Sequence, residues 1–540
     1  MRSITLRAWL LTIVSGVLQV LLFPLAGPAP RALASLGWVA LVPLLIALLR
    51  PGRTESAPTP QNAALLGYLC GLIWYAGNCF WIYQTMYLYG GLPKPVALGI
   101  LLLFSLYLGL YHALFSWFVV RIANSRAGIS GALVLAPFGW VAVELARSRI
   151  TGFPWDLLGY SQIDNLFFTR LAPFAGVMSL GFALMCVNSA LASAFLLKRR
   201  SRFSIAGVAL LVAAGVEIGG LLQEVPEHGS LTHFAIMLQE NLEVGAIGKG
   251  VRPIPEREEL PIFAAMTEHP GVEQGTGKLL SLLPGMEPTV VIWPEAPSHL
   301  RSDQPVFRSA IGALVREIHA PAIVGSLGVD FAEAAPKGYF LYDSASLFDV
   351  TGEYIGRYDK VHLVPWGEYI PFKQFFGFAS KLTEGVADMD RGTQRRVFAA
   401  EGHSYGIFIC YESIFGEEVR QFVNNGAQVL VNISDDGWYG DTGAPWQHLN
   451  MTRMRAIENH RWLLLDTNTG ITTAIDPEGR ALAEAPRHVR GAFAFPFDFL
   501  EGTTFYTRHG DWFAWGCVLV CIGASLSPRR SPTVVKPTVL

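Results

Sequence analysis

Apolar and polar positions divide this chain into two regimes. Up to about residue 222, apolar runs of near membrane-spanning length recur at 8–25, 33–49, 63–86, 95–120, 131–146, 171–197 and 204–222, and one more lies at 511–526. Most approach the roughly 20 apolar residues that cross about 30 Å of hydrocarbon. The run at 131–146 is short and carries Glu144, which makes it the least membrane-like of the eight. A secretory signal would also explain the first run, but a second follows at once and no A-x-A-like site stands out, so a retained helix is expected. Between 223 and 510 the period changes. HFAIMLQEN, TVVIWPEAP, PAIVGSLGV, FLYDSASLF, YGIFICYES and AQVLVNISDD read as buried or half-buried strands bounded by turns. Stretches at 305–318 and 446–458 have helical spacing. Such alternation predicts a layered α/β domain.

Composition sharpens this division. Hydrophobic residues make up 51% of the 540 positions and charged ones 16%, against about 25% in typical soluble chains. A formal net charge of -2 offers no basic excess to neutralise phosphates, so no nucleic-acid partner is expected. A cytoplasmic N-terminus places thirteen Lys and Arg on the inner face, against five (Arg31, Lys94, Arg147, Arg149, Arg170) in the short outer loops. That asymmetry has the sense the positive-inside rule requires. The expected organisation is therefore seven transmembrane helices in 1–222, an extracytoplasmic domain at 223–510, and an eighth helix with a cytoplasmic tail at 511–540.

The outer domain holds one cysteine, Cys410, in a compartment that tends to oxidise thiols. It ends the strand-like run in GIFICYESIFGEEV. With no neighbour to pair with, it is either a small buried hydrophobe or a nucleophile. Two further strand ends carry unusual polar chemistry. Glu295 follows an apolar strand in TVVIWPEAP, and Lys360 stands eight residues before Glu368 in GRYDKVHLVPWGEYIPF. A carboxylate base, an ammonium and a thiol form the set that covalent acyl transfer needs. Taken singly, each has a plain structural explanation: a helix cap, a solvated loop charge, a core filler. His362, His403, His448 and His460 are scattered without zinc-site spacing, so no metal is expected.

Jointly, Glu295, Lys360 and Cys410 at these strand ends resemble the Glu-Lys-Cys triad of the nitrilase superfamily and imply its αββα sandwich. NISDDGWYG and HLNMTRMRAIENHRWLLLDTNTG are similar to that superfamily's post-nucleophile strand and helix. A domain of this kind between membrane spans, with KVHLVPWGEYIPF and the loop TGFPWDLLGYSQID, resembles the apolipoprotein N-acyltransferase family of the bacterial inner (cytoplasmic) membrane. That resemblance implies Glu295 as general base, Lys360 as oxyanion stabiliser and Cys410 as nucleophile, supported by Glu368, Tyr411 and Glu412. It also implies a periplasmic catalytic domain, cytoplasmic termini, a phospholipid acyl donor, a diacylglyceryl-apolipoprotein acceptor and a ping-pong thioester route. The same triad acting with water as acceptor would give a membrane-tethered amidase or hydrolase.

Burial is expected to raise the Glu295 pKa, as suits a base, while Lys360 stays charged. No P-loop or convincing dinucleotide fingerprint is present, so no cofactor is expected, and a monomer is assumed. Phe372, Phe375, Phe376 and Phe378 in IPFKQFFGFASKL have the composition of an interfacial lid, though a core role fits equally. Trp155 and Tyr160 are expected in an interfacial aromatic belt or along a lipid path. Glu144 and Glu217 should snorkel to the interface, and Asn78 and Asn188 should bond between helices. Two departures from the family pattern stand out: MLQENLEVGAIGKG holds no tryptophan, and Asp343 replaces a frequent Asn, adding a possible charge at the site.

Overall fold

The computed structural model describes every residue except 1–3, 51–58, 199–200, 223–230, 243, 245–255, 271–286, 296–300, 334, 336, 370–388 and 527–540. Among the described residues, five helical segments are long and apolar enough to cross a bilayer: Arg31–Leu49, Lys94–Ala123, Gly128–Thr151, Val177–Leu196 and Arg202–Leu222. A sixth candidate, Pro60–Asn78 with Trp81–Tyr89, bends by 50° at its break. The first and last expected spans are shorter. Leu6–Val20 has 15 residues and Trp512–Ser525 has 14. At 1.5 Å per residue each reaches about 20 Å, less than a full hydrocarbon thickness. The run expected at 171–197 starts later, because Gly176 (φ +71°) separates a short helix from Val177–Leu196. The weakest sequence candidate, 131–146, instead forms a 24-residue segment.

Arg202–Leu222 shows why these helices need lipid. Only 11% of its apolar window is buried, and Phe203, Leu211, Leu221 and Leu222 all face outward. Asn188 bonds between helices as expected, accepting from Leu41 N at 2.8 Å and donating to Gly37 O at 2.9 Å. Glu144 corrects its expectation. It is buried and accepts from Leu158 N at 2.7 Å, so it fastens a loop instead of reaching for the interface. Glu217 is part-buried and accepts from Trp38 Nε1 at 2.6 Å.

The polar region folds into two six-stranded sheets. The first comprises β1 (His233–Gln239), β2 (Val290–Trp293), β3 (Ala322–Phe331), β4 (Tyr339–Phe348), β5 (Tyr354–Asp359) and the late strand β12 (Gly491–Phe497), in the order β12-β1-β2-β3-β4-β5. The second comprises β6 (Val397–Ala400), β7 (His403–Ile409), β8 (Val429–Ser434), β9 (Leu463–Thr467), β10 (Thr473–Ile475) and β11 (Ala481–Glu484), in the order β11-β10-β9-β8-β7-β6. All six strands expected from the sequence are present. In β1 to β3, Ile236, Leu238, Val291, Trp293, Ala322 and Val324 pack under the helices Glu256–Glu268 and Pro305–Ile318. Their alternates Ala235, Met237, Val290, Ile292 and Ile323 join the larger apolar core shared with the second sheet. Burial on both faces explains why these strands read as continuous apolar runs. Helices Gly416–Asn424 and Ala444–Asn459 accompany the second sheet.

Helix Ala444–Asn459 also joins the sandwich to the membrane helices. Gln447 donates to Pro24 O at 2.7 Å and accepts from Trp155 Nε1 at 2.7 Å. Arg455 donates to Tyr160 Oη at 2.8 Å, and Glu458 accepts from Val177 N at 2.9 Å, capping a membrane helix. Trp155 and Tyr160 are each 1% exposed, which corrects the belt and lipid-path expectation for both. They belong to the joint, because the loop carrying them folds beneath the sandwich instead of lying at its rim. Gly443, just before this helix, permits the approach: a Cβ there would lie 2.1 Å from Pro24 O. Gly443→Ala should therefore destabilise the protein by about 1–3 kcal/mol. A thermal melt in detergent checks this, and an unchanged midpoint would contradict so tight a joint.

Candidate active site

β2 and β5 run in the same direction, so their C-terminal ends lie at one end of the first sheet, and they deliver Glu295 and Lys360. Lys360 is completely buried. Its ammonium donates to Glu295 Oε1 at 2.7 Å, to Asp343 Oδ2 on β4 at 2.9 Å, and to Glu368 Oε1 at 2.5 Å. The three carboxylates offer oxygens within 4.8 Å of one another, a geometry suited to a cation. The Lys360 ammonium fills that place. Two of the acids are held from behind as well: Glu295 Oε2 accepts from Asp435 N at 2.7 Å and Glu368 Oε2 from Val364 N at 2.9 Å. Lys360 N itself donates to Asp343 O at 2.9 Å.

Cys410 closes β7 on the opposite sheet and sits in the left-handed region (φ +50°). For a non-glycine residue this conformation is strained, and strain of that kind clusters at functional corners. Glu412 ties the corner to the lysine loop. Its two oxygens accept from Ile409 N (2.8 Å), Val361 N (2.7 Å), His362 N (2.9 Å) and Tyr358 Oη (2.9 Å). One carboxylate thus spans the residues flanking both Cys410 and Lys360. Tyr411 donates to Gly152 O at 3.0 Å, so the same corner also touches the membrane-side loop.

Electrostatics divide the labour among these groups. Burial alone would discharge Lys360, but the charges of Asp343, Glu295 and Glu368 hold its pKa well above the ordinary range. Three ionised acids around one cation would leave excess negative charge in a dry site. Burial, with the neighbouring Glu295 and Glu368 charges, drives Asp343 well upward despite Lys360, and burial raises Glu368 too, so Asp343 is the acid of the trio that takes a proton most readily. The effect on Glu295 is the reverse of the expectation from burial. Burial pushes it up, yet Lys360 and the hydrogen bonds from Asp343, Lys360 and Asp435 N outweigh that and leave it below its ordinary value. Glu295 is thus an ionised acceptor in the resting site. Burial chiefly, then the Glu295 charge, raises Cys410 well above its ordinary value while Lys360 pulls it down. The resting sulfur is a thiol.

Glu295, Lys360 and Cys410 therefore converge on one site, as the sequence reading expected, with Asp343, Glu368 and Glu412 around them. Phe372, Phe375, Phe376 and Phe378 lie outside the described residues. Sequence reasoning missed Asp435, Asp436, Asn432 and His448, which pack behind Glu295 and Cys410. The pair of acids closing the strand in NISDDGWYG was the available signal, since it repeats the pattern of polar groups at an apolar strand's end.

A thiol opposed to a carboxylate–ammonium pair across two facing sheets defines a carbon–nitrogen hydrolase type of enzyme, here mounted on membrane helices. Residues 290–492 match the Carbon-nitrogen hydrolase family, and residues 15–190 match the Apolipoprotein N-acyltransferase N-terminal domain. The apolipoprotein N-acyltransferase of Geobacter metallireducens is 34% identical over 98% of this chain and 96% of its own length. That of Methylococcus capsulatus is 32% identical over 97% of each. Among solved structures, Saccharomyces cerevisiae Nit3, a member of branch 10 of the nitrilase superfamily, aligns with 53% of this chain and 96% of its own at 15% identity. The TM-score of that alignment is 0.36. The chain belongs to the apolipoprotein N-acyltransferase family.

The proton on Asp343 makes a carboxamide a fair replacement. Asp343→Asn should leave acylation within a few-fold of wild type, whereas Glu295→Gln, which removes the carboxylate held below its ordinary pKa beside Lys360, should lower it on the order of 100- to 10,000-fold. Stability gives a second readout. A group whose folded pKa is raised contributes stability that is present below its unfolded value of 3.8 and is lost as pH rises through the folded value. Melting temperature should therefore fall less in Asp343→Asn than in wild type as pH rises from 3.8 through the raised folded value. Identical melting profiles would contradict the protonated Asp343.

Proposed function

We propose that this acyltransferase moves a fatty acyl chain from a membrane phospholipid to the α-amine of the S-diacylglyceryl cysteine of an apolipoprotein. Cys410 is the nucleophile, Glu295 the base and Lys360 the oxyanion stabiliser. The observation that supports this reading best is the direct contact of ionised Glu295 with buried Lys360, opposite a thiol held in a strained corner.

Glu295 takes the Cys410 proton as Sγ attacks the ester carbonyl. The carbonyl oxygen becomes an oxyanion beside the Lys360 ammonium, and collapse expels the alkoxy oxygen, releasing a lysophospholipid whose alcohol takes the proton back from Glu295. This leaves a thioester on Cys410. The incoming amine attacks that thioester, Glu295 accepts the amine proton, and the Cys410 sulfur departs and regains it. A thioester is activated toward amines, so the second half-reaction proceeds without an external energy source. Lys360 stays charged throughout because its neighbours hold it so, which suits an electrostatic role better than proton transfer.

In this reading the catalytic unit at 223–510 faces the periplasm of a bacterial inner membrane. The helices of 1–222 and the segment at 511–540 anchor it, with both termini in the cytoplasm. The charge asymmetry of the loops supports that orientation. The short helices Leu6–Val20 and Trp512–Ser525 complete the eight spans, with local bilayer thinning or flanking polar residues making up their length. The protein works as a monomer.

Incubation of the purified protein with labelled phospholipid should leave a hydroxylamine-labile acyl adduct on Cys410, seen by intact mass. Adding a diacylglyceryl peptide should discharge the adduct and yield an N-acylated peptide. Cys410→Ser should form no thioester and give no product. Release of free fatty acid with no N-acylated peptide would contradict the proposal and make water the acceptor.

A further inference from the structure

Helix Ala444–Asn459 begins behind the Cys410 corner and carries His448, which has no exposed surface. Its Nδ1 lies 3.0 and 3.2 Å from the two carboxylate oxygens of Asp436. Its Nε2 lies 2.7 Å from Ser413 Oγ and 3.2 Å from the carbonyl oxygen of Cys410. Asp436 also accepts from Ser434 Oγ at 2.7 Å, so it acts as an acceptor and Nδ1 carries a proton.

The state of Nε2 follows from its partners. In a neutral ring, Nε2 would present a lone pair to both Ser413 and the Cys410 carbonyl. Ser413 can answer with its hydroxyl proton, but the carbonyl cannot, and two acceptors would face each other at 3.2 Å. An imidazolium removes the conflict, because Nε2–H can then be shared between the carbonyl and Ser413 Oγ. The other donor to that carbonyl, Asn432 Nδ2, is 3.4 Å away and is better placed on Phe408 O at 3.1 Å. His448 is thus the stronger hold on the peptide group that sets the corner.

We propose that His448 is the positioning residue for Cys410: as an imidazolium paired with Asp436, it donates Nε2–H to the carbonyl of Cys410 and fixes the left-handed corner that aims the sulfur. The assignment rests on reading Cys410 as the nucleophile. The charged and titratable groups facing the ring are Asp436, Glu295, the Cys410 thiol and Tyr439, whose ring centroid is 6.2 Å away. Trp155 lies parallel to the ring at 6.4 Å and closes the remaining side. Burial alone would discharge the ring, but the Asp436 charge and hydrogen bond outweigh it, and the pKa is raised. The grip on Cys410 is therefore complete below the ordinary value of 6.5 and is released as pH rises through the raised one.

Single-turnover acylation of the full-length protein in detergent, followed against pH with a fluorescent phospholipid, tests this. His448→Ala should lower the acylation rate constant about 10- to 100-fold, the loss of one charge-assisted hydrogen bond, with little change in KM. His448→Gln keeps a side-chain donor that does not titrate. It should recover much of the rate and abolish the decline that wild type shows as His448 loses its proton. A folded His448→Ala protein that acylates at the wild-type rate would overturn the proposal. So would a His448→Gln protein that keeps the wild-type decline, and this second result decides the matter if the alanine variant does not fold. Cys410→Ala separates the two levels: undiminished acylation there would sink the nucleophile itself, whereas its loss beside normal His448 variants would sink only the positioning role.

Discussion

A single buried ammonium organises this site. Lys360 has no contact with solvent and would be untenable in an apolar interior without its three acids. The acids depend equally on it, since removing one partner of a buried ionic cluster leaves the others uncompensated. This mutual dependence sets the protonation states. It holds Glu295 below its ordinary pKa, drives Asp343 upward and keeps Lys360 well above its ordinary value. A carboxylate ready to accept a proton beside a cation ready to receive negative charge is an arrangement that favours attack on an ester and penalises the idle thiolate.

The second constraint is mechanical. Glu412 fastens the Cys410 corner to the lysine loop across the two sheets, and helix Ala444–Asn459 fastens the sandwich to the membrane helices. Neighbouring residues on that helix serve opposite sides: His448 reaches the Cys410 carbonyl while Gln447 reaches Pro24 and Trp155. The Cys410 corner is therefore held in fixed register with the membrane domain. For an enzyme whose substrates are lipids, that register matters as much as the local chemistry.

The sequence made the strands legible where they are buried on both faces, because such strands are continuous apolar runs. Edge strands were less visible: β5 is the polar stretch YIGRYD and β11 the short ALAE, neither of which has an apolar signature. The triad was readable because its members stand at the ends of apolar strands, where polar groups have few structural reasons to be. What escaped depended on partners distant in the chain. Trp155 and Tyr160 look like belt aromatics until Gln447 and Arg455 come to meet them. Glu144 looks like a snorkelling acid until the Leu158 amide reaches it. The Glu295 pKa was misjudged because burial was foreseen but the number of donors was not. His448 looked like an isolated histidine because its carboxylate lies twelve residues away across a turn.

The central claim is that the Lys360 charge makes the chemistry possible. Its most direct test is the rate of Cys410 acylation in Lys360→Met, a replacement that keeps the length of the side chain and removes the charge. The account predicts a fall on the order of 100- to 1000-fold in protein that still melts cooperatively. Acylation of Cys410 at the wild-type rate without that charge would contradict it.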